Sequence, residues 1–352
     1  MTSNLADLPK ALLHDHLDGG LRIGTVLELA DEVGYEDLPA HEPTALASWF
    51  HQGESGSLEK YLEAFTHTIA VMQTASALER VAYEAVEDLA AEGVRYAELR
   101  FAPTLHVAGG LEPTEVIDAV AAGIRAGEAA TGCVSRIIVA GMRQMHDFES
   151  VAKLAVASRH LGVVGFDLAG PEAGYPNSSY RVACQLVADA NLPITIHAGE
   201  GDGTSQISQA IHQCDARRIG HGVRIIENTT VADGAITELG ELAAYVRDLR
   251  IPLEVSVYSN LHTGLYPDPA AHPVGLLHRA GFAVTINTDN RLMSGTSMTK
   301  EFELLADHHG FGIDDFHAVT RTALEAGFGE WPARRDLIEE TDATYRSLGS
   351  SL

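Results

Sequence analysis

Leu12-Leu13-His14-Asp15-His16-Leu17-Asp18-Gly19-Gly20 ends an apolar run near the N-terminus with two histidines flanking a single residue. Side chains alternate faces along a strand, so His14, His16 and Asp18 share one face, while Asp15 points the other way into a structural role. Two imidazoles and a carboxylate in one small volume read as half of a metal site closing a first strand, residues 10–16. Where the chain supplies the missing ligands decides the fold.

A helix follows over residues 25–33, and residues 36–54 read as a loop although they carry Trp49 and Phe50. Leu58, Tyr61, Leu62, Phe65 and Ile69 then follow the spacing of an amphipathic helix, which by itself means core packing. Ser76-Ala77-Leu78-Glu79 has the form of a capping box opening a helix to Ala91, with Gly93 as its stop. From there a strand–loop–helix unit repeats. Strands are predicted at 94–101, 135–142, 163–168, 193–197, 217–220, 252–257 and 282–287, and helices at 114–130, 148–159, 179–190, 205–213, 237–249 and 272–280. With the first strand this makes eight, the number of an α/β chain folded as a (β/α)8 TIM barrel. Helices at 314–326 and 332–348 would cover its outside. The competing doubly wound sheet lacks support, because no Gly-x-Gly-x-x-Gly and no Walker A loop follows a strand. No linker or low-complexity tract interrupts residues 1–352, so one domain is predicted.

The balance of 24 basic against 49 acidic residues, a formal charge of -25, repels phosphate backbones and anionic lipid heads. Nucleic acid and membrane surfaces are therefore excluded as partners, while a small neutral substrate neither requires nor forbids the acidity. Cys133, Cys184 and Cys214 lie far apart, forming neither a disulfide framework nor a zinc knuckle, which suits a reducing cytoplasm. The N-terminal stretch lacks the basic and apolar regions of an export signal, and no run reaches the length of a membrane span.

In a TIM barrel the reactive groups stand at the C-terminal ends of the strands. Here the first strand ends in His14-Asp15-His16, the fifth in His197-Ala198-Gly199-Glu200, the sixth in Gly220-His221-Gly222 and the eighth in Asn287-Thr288-Asp289-Asn290. His14, His16, His197 and Asp289 offer nitrogen and oxygen ligands to one divalent metal with room for a water. Glu200, three residues past His197, is the candidate general acid and base. His221 is placed to orient the water or, as a cation, to stabilise a developing oxyanion. The His308-His309 pair reads as solvated helix surface.

His14-Asp15-His16-Leu17-Asp18-Gly19, Asp167-Leu168-Ala169-Gly170, His197-Ala198-Gly199-Glu200, Gly220-His221-Gly222 and Asn287-Thr288-Asp289 together resemble the successive motifs of the adenosine deaminase family. The resemblance runs from about Pro9 past Asp289. It implies a zinc-dependent (β/α)8 hydrolase with one Zn2+ per chain, which uses activated water at C6 to convert adenosine, and 2′-deoxyadenosine, to inosine and ammonia. By the same resemblance His14, His16, His197 and Asp289 are the zinc ligands, Glu200 protonates purine N1, and His221 stands beside the reacting water. Gly170 meets N3 through its N–H, Asp18 contacts the ribose 5′-hydroxyl, and Tyr61 and Phe65 belong to an apolar lid between strands 1 and 2. Asn290 stands where many members carry a second aspartate; its amide donates to N7 at any pH. Pro171 stands where an acidic residue is frequent and removes an N–H. Adenine and aminodeoxyfutalosine remain alternative substrates, and AMP fits poorly because no Arg/Lys cradle is evident. A binuclear amidohydrolase would need a lysine at the fourth strand's end, which reads Gly165-Phe166-Asp167-Leu168-Ala169-Gly170. A silent nucleoside-binding protein would have no use for Glu200.

Overall fold

The computed structural model describes residues 5–51, 53 and 55–352; the N-terminal residues 1–4 and positions 52 and 54 of the 36–54 stretch lie outside the described residues. Eight parallel strands stand in chain order: β1 (Lys10–His16), β2 (Val94–Phe101), β3 (Val134–Met142), β4 (Val163–Ala169), β5 (Ile194–Ala198), β6 (Arg218–His221), β7 (Leu253–Val255) and β8 (Val284–Ile286). They read as near-continuous apolar runs because helices cover their outer faces. Residues Ile137 to Ala140, for example, are all fully buried.

The seam between β8 and β1 is stitched at the mouth. His16 N donates to Asp289 O (2.7 Å), Asp289 N to His14 O (2.9 Å), and Asn287 Oδ1 accepts from the N–H groups of Leu13 and His14. The barrel thus closes through the backbone of its own candidate metal ligands. Its interior below them is ionic. Arg100 donates to Asp167, Glu254 and the Leu13 carbonyl, and Arg218 donates to Glu254 and Glu98, all of them buried. Each charge finds a partner, as burial demands. At the base the Phe328 ring covers the Arg218 guanidinium at 3.5 Å.

Between β1 and β2 the chain builds the cover of the mouth, including helices Leu58–Glu63 and Phe65–Val71. Two corrections arise here. The 36–54 stretch contains the helix Pro43–Phe50, because Pro43 occupies a first turn where its missing N–H costs nothing, the Glu42 carboxylate caps Ala45 N, and Leu46 and Phe50 bury one face. The helix Ala75–Ala91 is capped by Thr74, whose Oγ1 accepts from Ala77 N, rather than by a Ser76 capping box.

Further along, the helix predicted at 237–249 runs only over Glu241–Asp248. Thr237 belongs to an antiparallel hairpin, Thr229–Ala232 with Ala235–Leu239, that turns on Asp233-Gly234, both at positive φ. The strand predicted at 252–257 stops at Val255, and a helix Val257–His262 takes its place. The helices Ile313–Ala326 and Trp331–Ser347 cover the outside as predicted, with Thr320 and Tyr345 donating to the Pro9 carbonyl at the foot of β1. Among the described residues no helix is long and apolar enough to cross a membrane.

Candidate active site

The ends of β1, β5 and β8 bring His14, His16, His197 and Asp289 together, each offering one ligand atom within 4.8 Å of the others. His16 Nε2 and His197 Nε2 lie 3.2 Å apart, and Asp289 Oδ1 stands 3.2 Å from His14 Nε2 and 3.3 Å from His16 Nε2. The second ring nitrogens show which form is present. His14 Nδ1 donates to Glu254 Oε2 (2.9 Å), and His197 Nδ1 faces both oxygens of Asp167 at 3.0 and 3.2 Å. Both rings therefore turn a bare Nε2 toward the same point, and His14 Nε2 has no hydrogen-bond partner in its fully buried position. Burial pushes His16 down to about 3 and lowers His197, so these two imidazoles are neutral. Burial and Arg100 oppose the charge on His14, but the carboxylates of Asp289 and Glu254 on either side raise it above the ordinary histidine value. Burial opposes ionisation of Asp289, but the His14 ring 3.2 Å away and the neighbouring His221 and His16 hold it well below the usual carboxylate range. Lone pairs crowded at 3.2 Å with a carboxylate beside them fit a divalent cation at their centre.

Asp289 and its neighbour across the mouth, His221, each adopt φ +57°. A non-glycine residue in the left-handed region costs free energy and marks a place where side-chain direction outweighs backbone comfort. Gly220, before His221, is required by close approach: a Cβ there would stand 3.0 Å from His197 Cα and 3.2 Å from His14 Cε1.

Glu200 projects from the loop after β5, buried, with Oε1 lacking a hydrogen-bond partner and Oε2 3.5 Å from His221 Nε2. Burial first, then the charges of Asp289 and Glu172, raise its carboxyl well above the usual range. The shift favours the protonated form, the one that can deliver a proton. Burial pushes His221 well below the ordinary histidine value, so this ring is neutral and the cationic role open to it from sequence is not the one the site supports.

These groups floor a cavity of about 220 Å³. Tyr61 and Phe65 of the cover line it together with Leu58, Leu62 and Ile69; Tyr61 OH bonds Ser294 Oγ (2.7 Å), and Phe65 packs edge-on to His16. Gly170 lies in the wall at φ +85°, where a Cβ would meet Gln144 Oε1. Asn290, buried, reaches the cavity from the β8 end with Oδ1 lacking a hydrogen-bond partner. Asp18 also lines the cavity; its Oδ1 has no hydrogen-bond partner, and Oδ2 is 3.6 Å from His106 Nε2. Asp15 faces away, as its place in the strand predicts, and accepts from Thr288 Oγ1 and Arg291 Nε.

The sequence reading missed the groups that hold these residues. Glu172 accepts from the N–H groups of Gly199, Glu200, Gly201 and Asp202 at 2.7–3.1 Å, clamping the loop that carries Glu200. Arg143 donates to the carbonyls of Gly170 and His197 and to Asn177, tying the ends of β4 and β5 together. Ser259 donates to Asp289 Oδ2 (2.6 Å). The available signal for Glu254 was a lone charge inside an apolar strand.

A parallel barrel with three imidazoles and a carboxylate converging at its mouth, beside a buried glutamic acid, defines a metal-dependent hydrolase. The family model described as adenosine deaminase matches residues 9–344, and the chain belongs to that family. It is 52% identical over 338 residues to the adenosine deaminase of Mycobacterium marinum, covering 94% of this chain and 93% of that one. Among solved structures it is similar to adenine deaminase from Arthrobacter aurescens, with a TM-score of 0.86 and 25% identity over 96% of this chain and 99% of that one. It is also similar to Arabidopsis ADAL complexed with IMP, with a TM-score of 0.83 and 27% identity over 97% and 98%.

Proposed function

We propose that this chain is an adenosine deaminase, which replaces the 6-amino group of adenosine and 2′-deoxyadenosine with oxygen to give inosine and ammonia. The observation that carries the reading is the convergence of three imidazoles and Asp289 beside the buried Glu200, whose carboxyl is raised well above the usual range, in a nucleoside-sized cavity, within a chain 52% identical to a named adenosine deaminase. His14, His16, His197 and Asp289 would hold one Zn2+, whose ligand preference for nitrogen and oxygen donors they meet. Zinc there supplies Lewis-acid activation of the water that attacks the purine.

The chain's own residues do the rest. Glu200 gives its proton to N1, so that the ring can accept addition at C6 and lose aromaticity there. That proton stays on N1 in inosine; of the two protons of the added water, one goes to the departing amine, which leaves as ammonia, and the other restores Glu200. His221 faces the reacting carbon, the Gly170 N–H meets N3, and the Asn290 amide donates to N7. Tyr61 and Phe65 with their apolar neighbours cover the base and exclude water, which strengthens the polar contacts inside. Asp18, with a buried oxygen awaiting a donor, is suited to the ribose 5′-hydroxyl.

That same oxygen favours a nucleoside over free adenine. AMP is disfavoured, since among the described residues no Arg or Lys lines the cavity and Asp18 would oppose a phosphate. The buried, unpaired cysteines suit a cytoplasmic enzyme, and residues 1–352 are read as one catalytic domain. Initial rates on adenosine, 2′-deoxyadenosine, adenine, AMP and aminodeoxyfutalosine test the reading. Adenosine is expected to lead in kcat/KM, with adenine and AMP far behind; preference for adenine or aminodeoxyfutalosine would overturn it.

A further inference from the structure

The hydrogen bonds behind His221 run in one direction only. The backbone N–H of Val274 donates to His272 Nδ1 at 3.2 Å, so that nitrogen must carry a lone pair. Burial pushes His272 down to about 3, which keeps the ring neutral, and its single proton therefore sits on Nε2. That N–H points at Asn260 Oδ1, 3.2 Å away. Turning the Asn260 amide over would set its NH2 against this donor, so the orientation is fixed. The Nδ2 group then donates to His221 Nδ1 at 3.1 Å. Asn260, His272 and His221 are all buried.

We infer that His272 and Asn260 are positioning residues which hold His221 as the tautomer protonated on Nε2, so that it is a hydrogen-bond donor toward the reacting centre and not a base. The Nε2–H faces the cavity, 3.5 Å from Glu200 Oε2, and is available to the oxygen that adds at C6. The donor's role in catalysis rests on the deaminase reading, whereas the tautomer itself does not. The device is economical in structure. One helix, Val257–His262, presents Ser259 to Asp289 and the next residue, Asn260, to His221.

Asn260→Asp is the decisive variant, because a carboxylate of nearly the same shape can only accept. It draws protons from both rings and moves the His221 proton to Nδ1. Nitrogen-15 spectra of histidine-labelled protein, with His221 assigned by its loss in His221→Gln, report the tautomer without substrate. In zinc-loaded wild type His221 is expected to show a protonated Nε2 and a bare Nδ1, and in Asn260→Asp the reverse. The kcat on adenosine should fall about 10²–10³-fold in that variant, with KM changed far less. His272→Gln keeps an N–H donor toward Asn260 and should retain the wild-type spectrum and a kcat well above that of His272→Leu, which guards against misfolding of the aspartate variant. A wild-type His221 protonated on Nδ1, or a folded Asn260→Asp with wild-type kcat, would overturn the inference. Absence of adenosine turnover in the wild type would instead overturn the functional reading and leave the tautomer standing.

Discussion

Replacing Glu172 by glutamine should damage stability and turnover together. In the wild type one carboxylate takes four backbone N–H bonds: Gly199 on Oε1 at 2.7 Å, and Glu200, Gly201 and Asp202 on Oε2 at 3.0, 2.7 and 3.1 Å. Burial lifts this carboxyl above its ordinary value, while Arg143 and the N–H donors oppose that and favour the ionised form around which the loop is built. Glutamine can leave its oxygen toward the three donors but must set an NH2 against Gly199 N. Three charge-assisted bonds weaken by roughly 1 kcal/mol each, and one buried donor is orphaned at about 1–3 kcal/mol. Relief from burying the charge offsets part of this, so the net loss is about 3–5 kcal/mol, a large share of the stability of a typical domain. With an m-value of about 3 kcal/mol/M, the urea midpoint should drop by about 1–2 M. Because the displaced loop carries Glu200, kcat on adenosine should fall about 10²-fold under conditions where the protein remains folded. An unchanged midpoint together with a kcat within about twofold of wild type would refute the clamp.

Glu200→Gln removes the proton that N1 requires and should lower kcat by about 10²–10⁴-fold, with metal content unchanged by elemental analysis. Chelation should abolish turnover and lower the melting temperature, by about 2.7 kcal/mol of stability when the metal had stood at a hundred times its dissociation constant; two ions per chain on reloading would contradict a site of four ligands. Glu301, whose Oε1 accepts from Thr296 Oγ1 and Oε2 from Val257 N, is pushed up to about 8 by burial. Its folded value lies above its unfolded one, so its contribution to stability is full below about pH 4.5 and is lost as pH rises through 8, on the order of a few kcal/mol. The melting-temperature difference between wild type and Glu301→Gln should therefore shrink or change sign from pH 5 to pH 9, and a constant difference would rule this out.

What the sequence displayed and what it hid follow from the geometry of a closed barrel. Which residue ends an apolar run is a property of the chain in one dimension, and His14, His16, His197, His221 and Asp289 all sit at such ends. Their supports do not. Arg100 meets Asp167 and Glu254, residues 67 and 154 positions away, and only the closed ring brings them within bonding distance. In the sequence each is a stray charge in a strand, with nothing to say that its side chain points inward. Glu172 was hidden differently: Pro171 drew the reading to a lost N–H, while one residue on stood a carboxylate that gathers four. Local rules also misled where context reversed their meaning, as with Pro43, a breaker within a helix but a starter at its first turn.

The backbone at His221 and Asp289 sharpens the point. A reader of Gly220-His221-Gly222 would give any left-handed position to a glycine, and Gly222 does adopt one at φ +68°. His221 adopts one as well, at φ +57°, and so does Asp289. Neither gains locally from that conformation, which costs of order 1–3 kcal/mol for a residue with a Cβ. In both, the surroundings hold the side chain at the mouth: Asn260 bonds the His221 ring, and Ser259 and the β1 seam bond Asp289. Strain appears where the chain must leave the barrel wall and still aim a side chain back at its axis. That requirement belongs to the site, and propensity alone would have argued against it.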